Sequence, residues 1–529
     1  MGTLPPVRVL VFHGYLLEGT GSNVYNARLA EALVRLGHEV HLLSQDRHAD
    51  QQPFVDAVAD WEEGTLRVRR VRPQHASGRG SATVYRPDIG ALLPVYVADR
   101  YEGIEARSFL RCSDEELERY LEANIAAVRE LRDLVRPQLA LANHLVMGPV
   151  ILARALAGRV PYAVKIHGSA LEYTVKPAPE RFLPYAREGL APARCVLVGS
   201  RHTAASLWEA LGDAGLIART RLGPPGVDVA RFAPQPPARA ADGVRALQAA
   251  LESGGAAERP AESAFAREAG AAARALARVD PGADQLVAFV GKLIVSKGAD
   301  LLLAAWPLVL ERVPRATLVV VGFGGFRDGL EWLCAALAAG DLAGASELAR
   351  AGRALEGGDR RPLAYLLAFL DSLGVAERER YIAAARALAQ QVVFTGRLEH
   401  EELAQLLPAC RALAVPSTFP ESFGMVAVEA AACGVLPVSA AHSGLAEVSE
   451  VLAAALPEPA AGWLSFPLGD GAVVALAERL AAWLTSGPEL RERTRAGLVS
   501  ATRRHWSWEG VARGVIAAAR GELQALRSP

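Results

Sequence analysis

Short apolar runs alternate with longer stretches of helical period along most of the chain. VRVLVF near the N-terminus reads as a buried strand, and NVYNARLAEALVRLG as a helix closing on Gly37. HEVHLLS, LALAN, YAVKIHG and CVLVGS follow as strands, each ahead of a loop or helical segment. This alternation predicts a doubly wound parallel sheet running to LGPPGVDVARFAP, residues 222 to 234.

The rhythm then breaks. Residues 235–285 are rich in Ala, Arg, Gly and Pro and carry no strand pattern, so they read as a linker with an insertion able to form two helices. Alternation resumes at LVAFVGKLI and continues through ATLVVVGFGG, QVVFTGRL, RALAVPS, GVLPVSA and GWLSFP. A second doubly wound sheet is expected there, interrupted by a strandless Ala/Arg-rich helical excursion at about 328–388. The predicted order is an N-terminal domain at 1–234, the linker at 235–285, a C-terminal domain at 286–505, and a last segment at 506–529.

Composition narrows the partners. The 529 residues are 51% hydrophobic and 22% charged, which excludes a disordered chain or a coiled coil. The 57 basic and 58 acidic residues leave a formal charge of −1, so no global field exists to hold nucleic acid. Cys112, Cys195, Cys334, Cys410 and Cys433 are odd in number and widely spaced, as expected of reduced, buried thiols in a cytoplasmic protein. No apolar run is long enough for a membrane span, leaving at most peripheral membrane contact.

Candidate chemistry lies just after the predicted strands, where open α/β sheets bind ligands. PESFGMVAVEAAACG follows ALAVPS, so the amides around Ser422, Phe423 and Gly424 would open outward at a helix start, a ready anion site. Glu421 precedes that helix and can accept sugar hydroxyls; Glu429, two turns on, can accept ribose hydroxyls. The bland reading is a capped core helix bearing two acids. FVGKLIVSKGADLLL sets Lys292 and Lys297 beside Gly291 and Gly298, and two lysines at one diphosphate can stabilise a leaving group as its charge grows. By itself such a pair is usually solvated. Gly19 and Gly21 form a further glycine loop after the first strand, suited to phosphate or acceptor contact. GFGGFR fails the dinucleotide fingerprint at Arg327. Asn143, His144 and His167 each follow a strand, and a histidine there is equally a core or capping residue. No D-x-D occurs, so no metal–diphosphate clamp of that kind is expected.

With GKLIVSKG, PESFGMVAVEAAACG, KIHGS, PPGVDVARF and WSWEGVA together, the chain resembles the family 4 retaining glycosyltransferases of GT-B architecture. The resemblance implies two Rossmann-like domains facing a central cleft, with the acceptor on the N-terminal side and the nucleotide-sugar donor on the C-terminal side. It implies diphosphate contact by Lys292, where the family commonly has Arg, and by Lys297. It implies a sugar held by Glu421 and the amides of Phe423, Gly424 and Met425, with Glu429 on the ribose. His167 would contact the sugar near the reacting carbon, and Gly19 and Gly21 would near the phosphates and acceptor. The segment from about Trp506 would return to the N-terminal domain. Catalytic roles fall to His167, Lys292, Lys297 and Glu421, with Gly291 in the donor loop, a nucleotide-diphosphate sugar as co-substrate, and no metal. Within YRPDIGALLPVYVADRYEG, Arg86, Tyr96 and Tyr101 are read as lining for an unidentified acceptor, together with Asn143 and His144. Alternative readings are a non-catalytic nucleotide-sugar-binding scaffold, or another GT-B enzyme such as an epimerase or phosphorylase.

Overall fold

The computed structural model describes residues 5–19, 21–72, 80–96, 104–254 and 268–529. Tyr101 and the SGGAAERPAES stretch from Gly255 onward lie outside the described residues. Contacts divide the chain into two compact units, Met1–Gly226 with Trp506–Pro529, and Val227–His505. Each is an α/β unit built on a twisted, largely parallel sheet.

In the first unit, the described strands run across the sheet as Thr220–Leu222, Cys195–Val198, Tyr162–Lys165, Leu139–Asn143, Arg8–Phe12, Glu39–Leu43, Ser81–Arg86, Ala57–Glu62 and Thr65–Arg70. Only the last pair is antiparallel. The central strands are apolar on both faces, as burial beneath two helix layers requires. Strand order reverses between Arg8–Phe12 and Leu139–Asn143, which pair directly. The helix Trp508–Arg520 packs in this unit against Gly21–Arg35. Trp508 meets Tyr25 edge to face, with ring centroids 5.6 Å apart, and also closes over Gly226, where a Cβ would come within 2.7 Å of the indole.

In the second unit the order is Val392–Gly396, Ala316–Val321, Gln285–Val290, Ala412–Val415, Leu436–Ala440 and Ser465–Phe466, all parallel. Numbered along the chain this is the 3-2-1-4-5-6 arrangement of a dinucleotide-type sheet. Its reversal falls between Gln285–Val290 and Ala412–Val415.

The described residues of 235–285 belong to this second unit. Pro237–Glu252 and Ala269–Leu276 pack on each other, on His400–Leu406 and on Val392–Gly396. Ala240, Val244, Leu247 and Leu251 make a buried stripe at helical spacing, so these helices have a core to join. The excursion between Ala316–Val321 and Val392–Gly396 contains the helices Arg327–Ala339, Leu342–Ala351, Ala364–Ser372, Val375–Ala385 and Leu388–Gln391. Buried Tyr381 ties it down, its hydroxyl donating to the Ala304 carbonyl at 2.9 Å. Among the described residues, no helix is long and apolar enough to cross a membrane.

Candidate functional site

The two loops at the reversal of the six-stranded sheet carry the charged motifs, and they meet. After Val290 the chain passes through Gly291 and Lys292 into the single turn Val295–Lys297; after Val415 it passes through Ser417 to Glu421. Backbone bonding joins them, the Thr418 amide donating to the Ser296 carbonyl at 2.9 Å. Gly298 makes this approach possible. It has φ +67°, and a Cβ there would lie 2.0 Å from the Pro416 carbonyl oxygen.

Lys297 Nζ pairs with Glu421 Oε1. The Ser417 hydroxyl donates to the same carboxylate oxygen at 2.6 Å, and the Glu421 amide donates to Ser443 Oγ at 2.9 Å. Burial pushes the Glu421 carboxyl upward, but the Lys297 charge and the hydrogen bonds from Lys297 and Ser417 together outweigh it. The group is held below its ordinary range and is ionised at neutral pH. His442 completes this corner, Nε2 donating to the Ser417 carbonyl at 2.7 Å.

Phe423 is buried, and Gly424 stands at φ +106° before the helix Met425–Ala432. A Cβ on Gly424 would reach within 2.5 Å of Leu445. The Ala427 amide of this first turn donates to the Gly424 carbonyl at 3.1 Å, and the N-terminal end of a helix favours a negative charge. Glu429, on the same helix, is buried and accepts from His400 Nε2 at 2.8 Å. The His400 ring meets Phe232 edge to face, with centroids 5.4 Å apart.

Lys292 stands over the Phe323 ring, its Nζ 5.9 Å from the centroid, and Arg397 approaches the same ring at 5.9 Å. The glycines of GFGGFR serve this loop. A Cβ on Gly322 would lie 1.9 Å from the Gly291 carbonyl oxygen, and one on Gly324 2.4 Å from that of Leu293. Close backbone packing is therefore their role here. Asp300 lies just beyond Gly298; burial raises its carboxyl to about 7, and its Oδ1 has no partner among the described residues.

The first unit gathers a second cluster at its own strand reversal. His13 follows Arg8–Phe12, Asn143 and His144 follow Leu139–Asn143, and His167 follows Tyr162–Lys165. His167 Nε2 donates to Asn143 Oδ1 at 2.8 Å, and Asn143 Nδ2 donates to the Phe12 carbonyl at 3.1 Å. The His144 ring lies 4.8 Å from His167, 5.9 Å from His13 and 4.6 Å from Tyr96. Neither His144 ring nitrogen has a hydrogen-bond partner among the described residues. Burial lowers the pKa of all three histidines, that of His13 to about 4, and neighbouring histidines lower those of His144 and His167 further. They are neutral at pH 7. Lys165 is also buried, donates to the Gly223 carbonyl at 2.7 Å, and is lowered by burial to about 7.

Asn143, His144, His167 and Tyr96 thus come together, the Tyr96 hydroxyl bonding the Val146 carbonyl. Arg86 lies elsewhere, paired with Asp60 at 2.6 Å on the wall of a 440 Å³ cavity shared with Gln45 and Trp61. Gly19 is exposed at φ +93°, and Gly21 opens the helix Gly21–Arg35. From that helix, Asn23 and Asn26 bond His13 at 3.0 and 3.1 Å. His13, His400, Arg397, His442 and Ser417 escaped the sequence reading; His400 and His442 bond residues more than twenty positions away, whereas Ser417 bonds Glu421 only four residues on. The strand-end position was the signal available for His13 and Arg397. Among the described residues, no group of three or more His, Cys, Asp or Glu is disposed to hold a metal ion.

The family model Glycosyltransferase Family 4 matches residues 19–231, and that of Glycosyl transferases group 1 matches residues 364–497. The chain is 33% identical over 255 residues to the D-inositol 3-phosphate glycosyltransferase of Segniliparus rotundus, an alignment spanning 48% of this chain and 43% of that protein. It therefore covers less than half the length of that relative. Among solved structures, sucrose-phosphate synthase of Thermosynechococcus elongatus superposes with a TM-score of 0.56 at 19% identity, over 98% of this chain and all of that one. HepE of Anabaena, solved with UDP and glucose, gives 0.55 at 16% identity, over 97% and 99% of the two chains. At such identities these two likenesses speak for the fold. The matched stretches are similar to those of glycosyltransferase families, and the fold of the chain is GT-B.

Proposed function

We propose that the protein is a glycosyltransferase that moves a sugar from a nucleoside-diphosphate sugar to an acceptor hydroxyl, with retention at the anomeric carbon and without a metal ion. The observation that carries this reading is the meeting of Lys297 and Glu421 at the strand reversal of the six-stranded sheet, in the loop that leads into the N-terminus of the helix Met425–Ala432. In this reading Lys292 and Lys297 bind the diphosphate, and the amides of Phe423, Gly424 and Met425 with Glu421 hold the sugar. Glu429, oriented by His400, accepts from the ribose hydroxyls.

The reaction breaks the bond from the anomeric carbon to the diphosphate oxygen, and the electron pair leaves with the diphosphate. The lysines stabilise that growing charge. The acceptor oxygen bonds to the same face of the carbon, and its proton passes to the departing diphosphate. His167 is neutral, so it serves as a hydrogen-bond partner for the sugar and not as a cation. Asn143 and His144 line the acceptor side. Relatives named for inositol-phosphate glycosyl transfer support the reaction class.

The test is a thermal-shift screen with UDP, GDP, ADP and their glucose and mannose derivatives, since a ligand that binds only the folded chain raises its melting point. A donor that shifts the melt is then supplied with candidate acceptors, and the product anomer is read by NMR. An inverted product would refute retention. No shift with any nucleotide would refute the donor site.

A further inference from the structure

The helical excursion reaches the lysine loop through one side chain. Glu356 closes the turn Gly352–Glu356, and its Oε2 accepts from the Val295 amide at 2.8 Å. Its Oε1 accepts from Arg353 Nε at 3.0 Å, and the Glu356 side chain is only 10% exposed. Val295 opens the turn that ends in Lys297. The far side of that turn is fixed by the Gly298–Pro416 approach and by the Thr418–Ser296 bond. The near side is held by Glu356.

The turn that delivers Glu356 is itself pinned. The Arg353 amide donates to the Arg361 carbonyl at 2.9 Å, the Gly358 amide donates to that of Arg353 at 3.0 Å, and Gly352 packs where a Cβ would lie 1.8 Å from the Arg361 oxygen. Arg353 also neutralises the carboxylate, so the clamp sits beside a cationic loop without setting a bare negative charge against an incoming diphosphate. Glu356 lies outside both stretches matched by the family models.

We propose that Glu356 is a positioning residue: through the Val295 amide it fixes the turn that presents Lys297, and so ties the helical excursion to diphosphate affinity. This rests on the lysine loop being the diphosphate site. It gives the excursion a task in donor binding, with Arg353 as the neutralising partner.

The experiment compares wild type, Glu356→Ala, Glu356→Gln and Arg353→Ala. Amide hydrogen exchange of a peptide spanning 292–298 reads the clamp without any ligand. Titration with UDP, GDP and ADP against UMP, GMP and AMP reads its consequence. Glu356→Ala should speed exchange in that peptide and weaken the preferred diphosphate about tenfold, the ratio set by one charge-assisted hydrogen bond. Its monophosphate should change less than about twofold, because the monophosphate lacks the terminal phosphate that Lys297 would meet. Glu356→Gln keeps an acceptor oxygen and should restore both. A residue that only supports folding would weaken both nucleotides alike and lower the melting point, and that result, or unchanged exchange in Glu356→Ala, overturns the proposal. Should Glu356→Ala fail to fold, Arg353→Ala bares the carboxylate while keeping the Val295 bond. It must then weaken the diphosphate selectively, or the proposal fails. Wild type that binds no diphosphate more tightly than its monophosphate refutes the diphosphate site itself, and the link to donor binding with it.

Discussion

Lys297 and Glu421 stand 124 positions apart in the chain and form a direct ion pair, with Ser417 donating to the same carboxylate oxygen. The pair joins the loops of two neighbouring parallel strands at the reversal of the sheet. In the proposed reading, a diphosphate bound there competes with Glu421 for the Lys297 ammonium.

Lys297→Ala should therefore lower kcat much more than it raises donor KM, because the leaving-group charge is largest in the transition state. The expected loss is about 10²–10³-fold, or roughly 3–4 kcal/mol. Steady-state kinetics with varied donor, beside circular dichroism melts, provide the check. A folded variant with wild-type kcat would remove the lysine from the mechanism.

Glu429 gives the opposite kinetic signature. The ribose does not change during transfer, so Glu429→Gln should mainly raise donor KM. His400→Ala should move KM in the same direction, since the imidazole bonds that carboxylate at 2.8 Å. The double variant should fall short of the sum of the two effects, as expected for residues acting as one unit. Strict additivity in the cycle would separate His400 from the ribose contact.

Gly298→Ala tests the backbone approach. A methyl group 2.0 Å from the Pro416 oxygen, at φ +67°, cannot be accommodated without parting the two loops. A loss of stability of about 2–4 kcal/mol is expected, together with weakened nucleotide binding. Urea melts and nucleotide titration measure the two effects. A neutral outcome in both would show that the loops have room to separate.

Transfer should persist in excess EDTA, with lysines and helix amides meeting the diphosphate charge. Activity lost in chelator and restored by Mg²⁺ or Mn²⁺ would refute the metal-free mechanism.

Lys165 predicts a pH dependence of stability. Burial lowers its folded pKa from 10.5 to about 7, so between these values the unfolded chain holds the extra proton. Its contribution is most favourable above pH 10.5, falls as pH drops through that window, and is constant below about 7. Lys165→Met removes the ammonium. Relative to that variant, wild type should gain stability steadily as pH rises from 7 toward 10. Parallel pH–stability curves would place the lysine in a hydrated setting.

Local patterning was enough to mark both sheets, since a strand buried on two faces must be a short apolar run and its crossover helix must repeat at 3.6 residues. The same logic placed Lys292, Lys297, Glu421 and Glu429 after strands, because a loop's position relative to its strand is a property of consecutive residues. Contacts between distant segments were out of its reach. Nothing in PESFGMVAVEAAACG says that Glu421 pairs with Lys297 or Glu429 with His400, for those bonds depend on which strands become neighbours. GFGGFR failed as a nucleotide fingerprint, and only the fold showed its glycines admitting the Gly291–Leu293 backbone. The stretch 235–285 looked like a linker by composition, yet its alanine and leucine stripe found a partner surface in the second unit. Sequence determined which residues stand at strand ends. Tertiary packing decided which of them touch, because strand order is set by burial and pairing across the whole sheet.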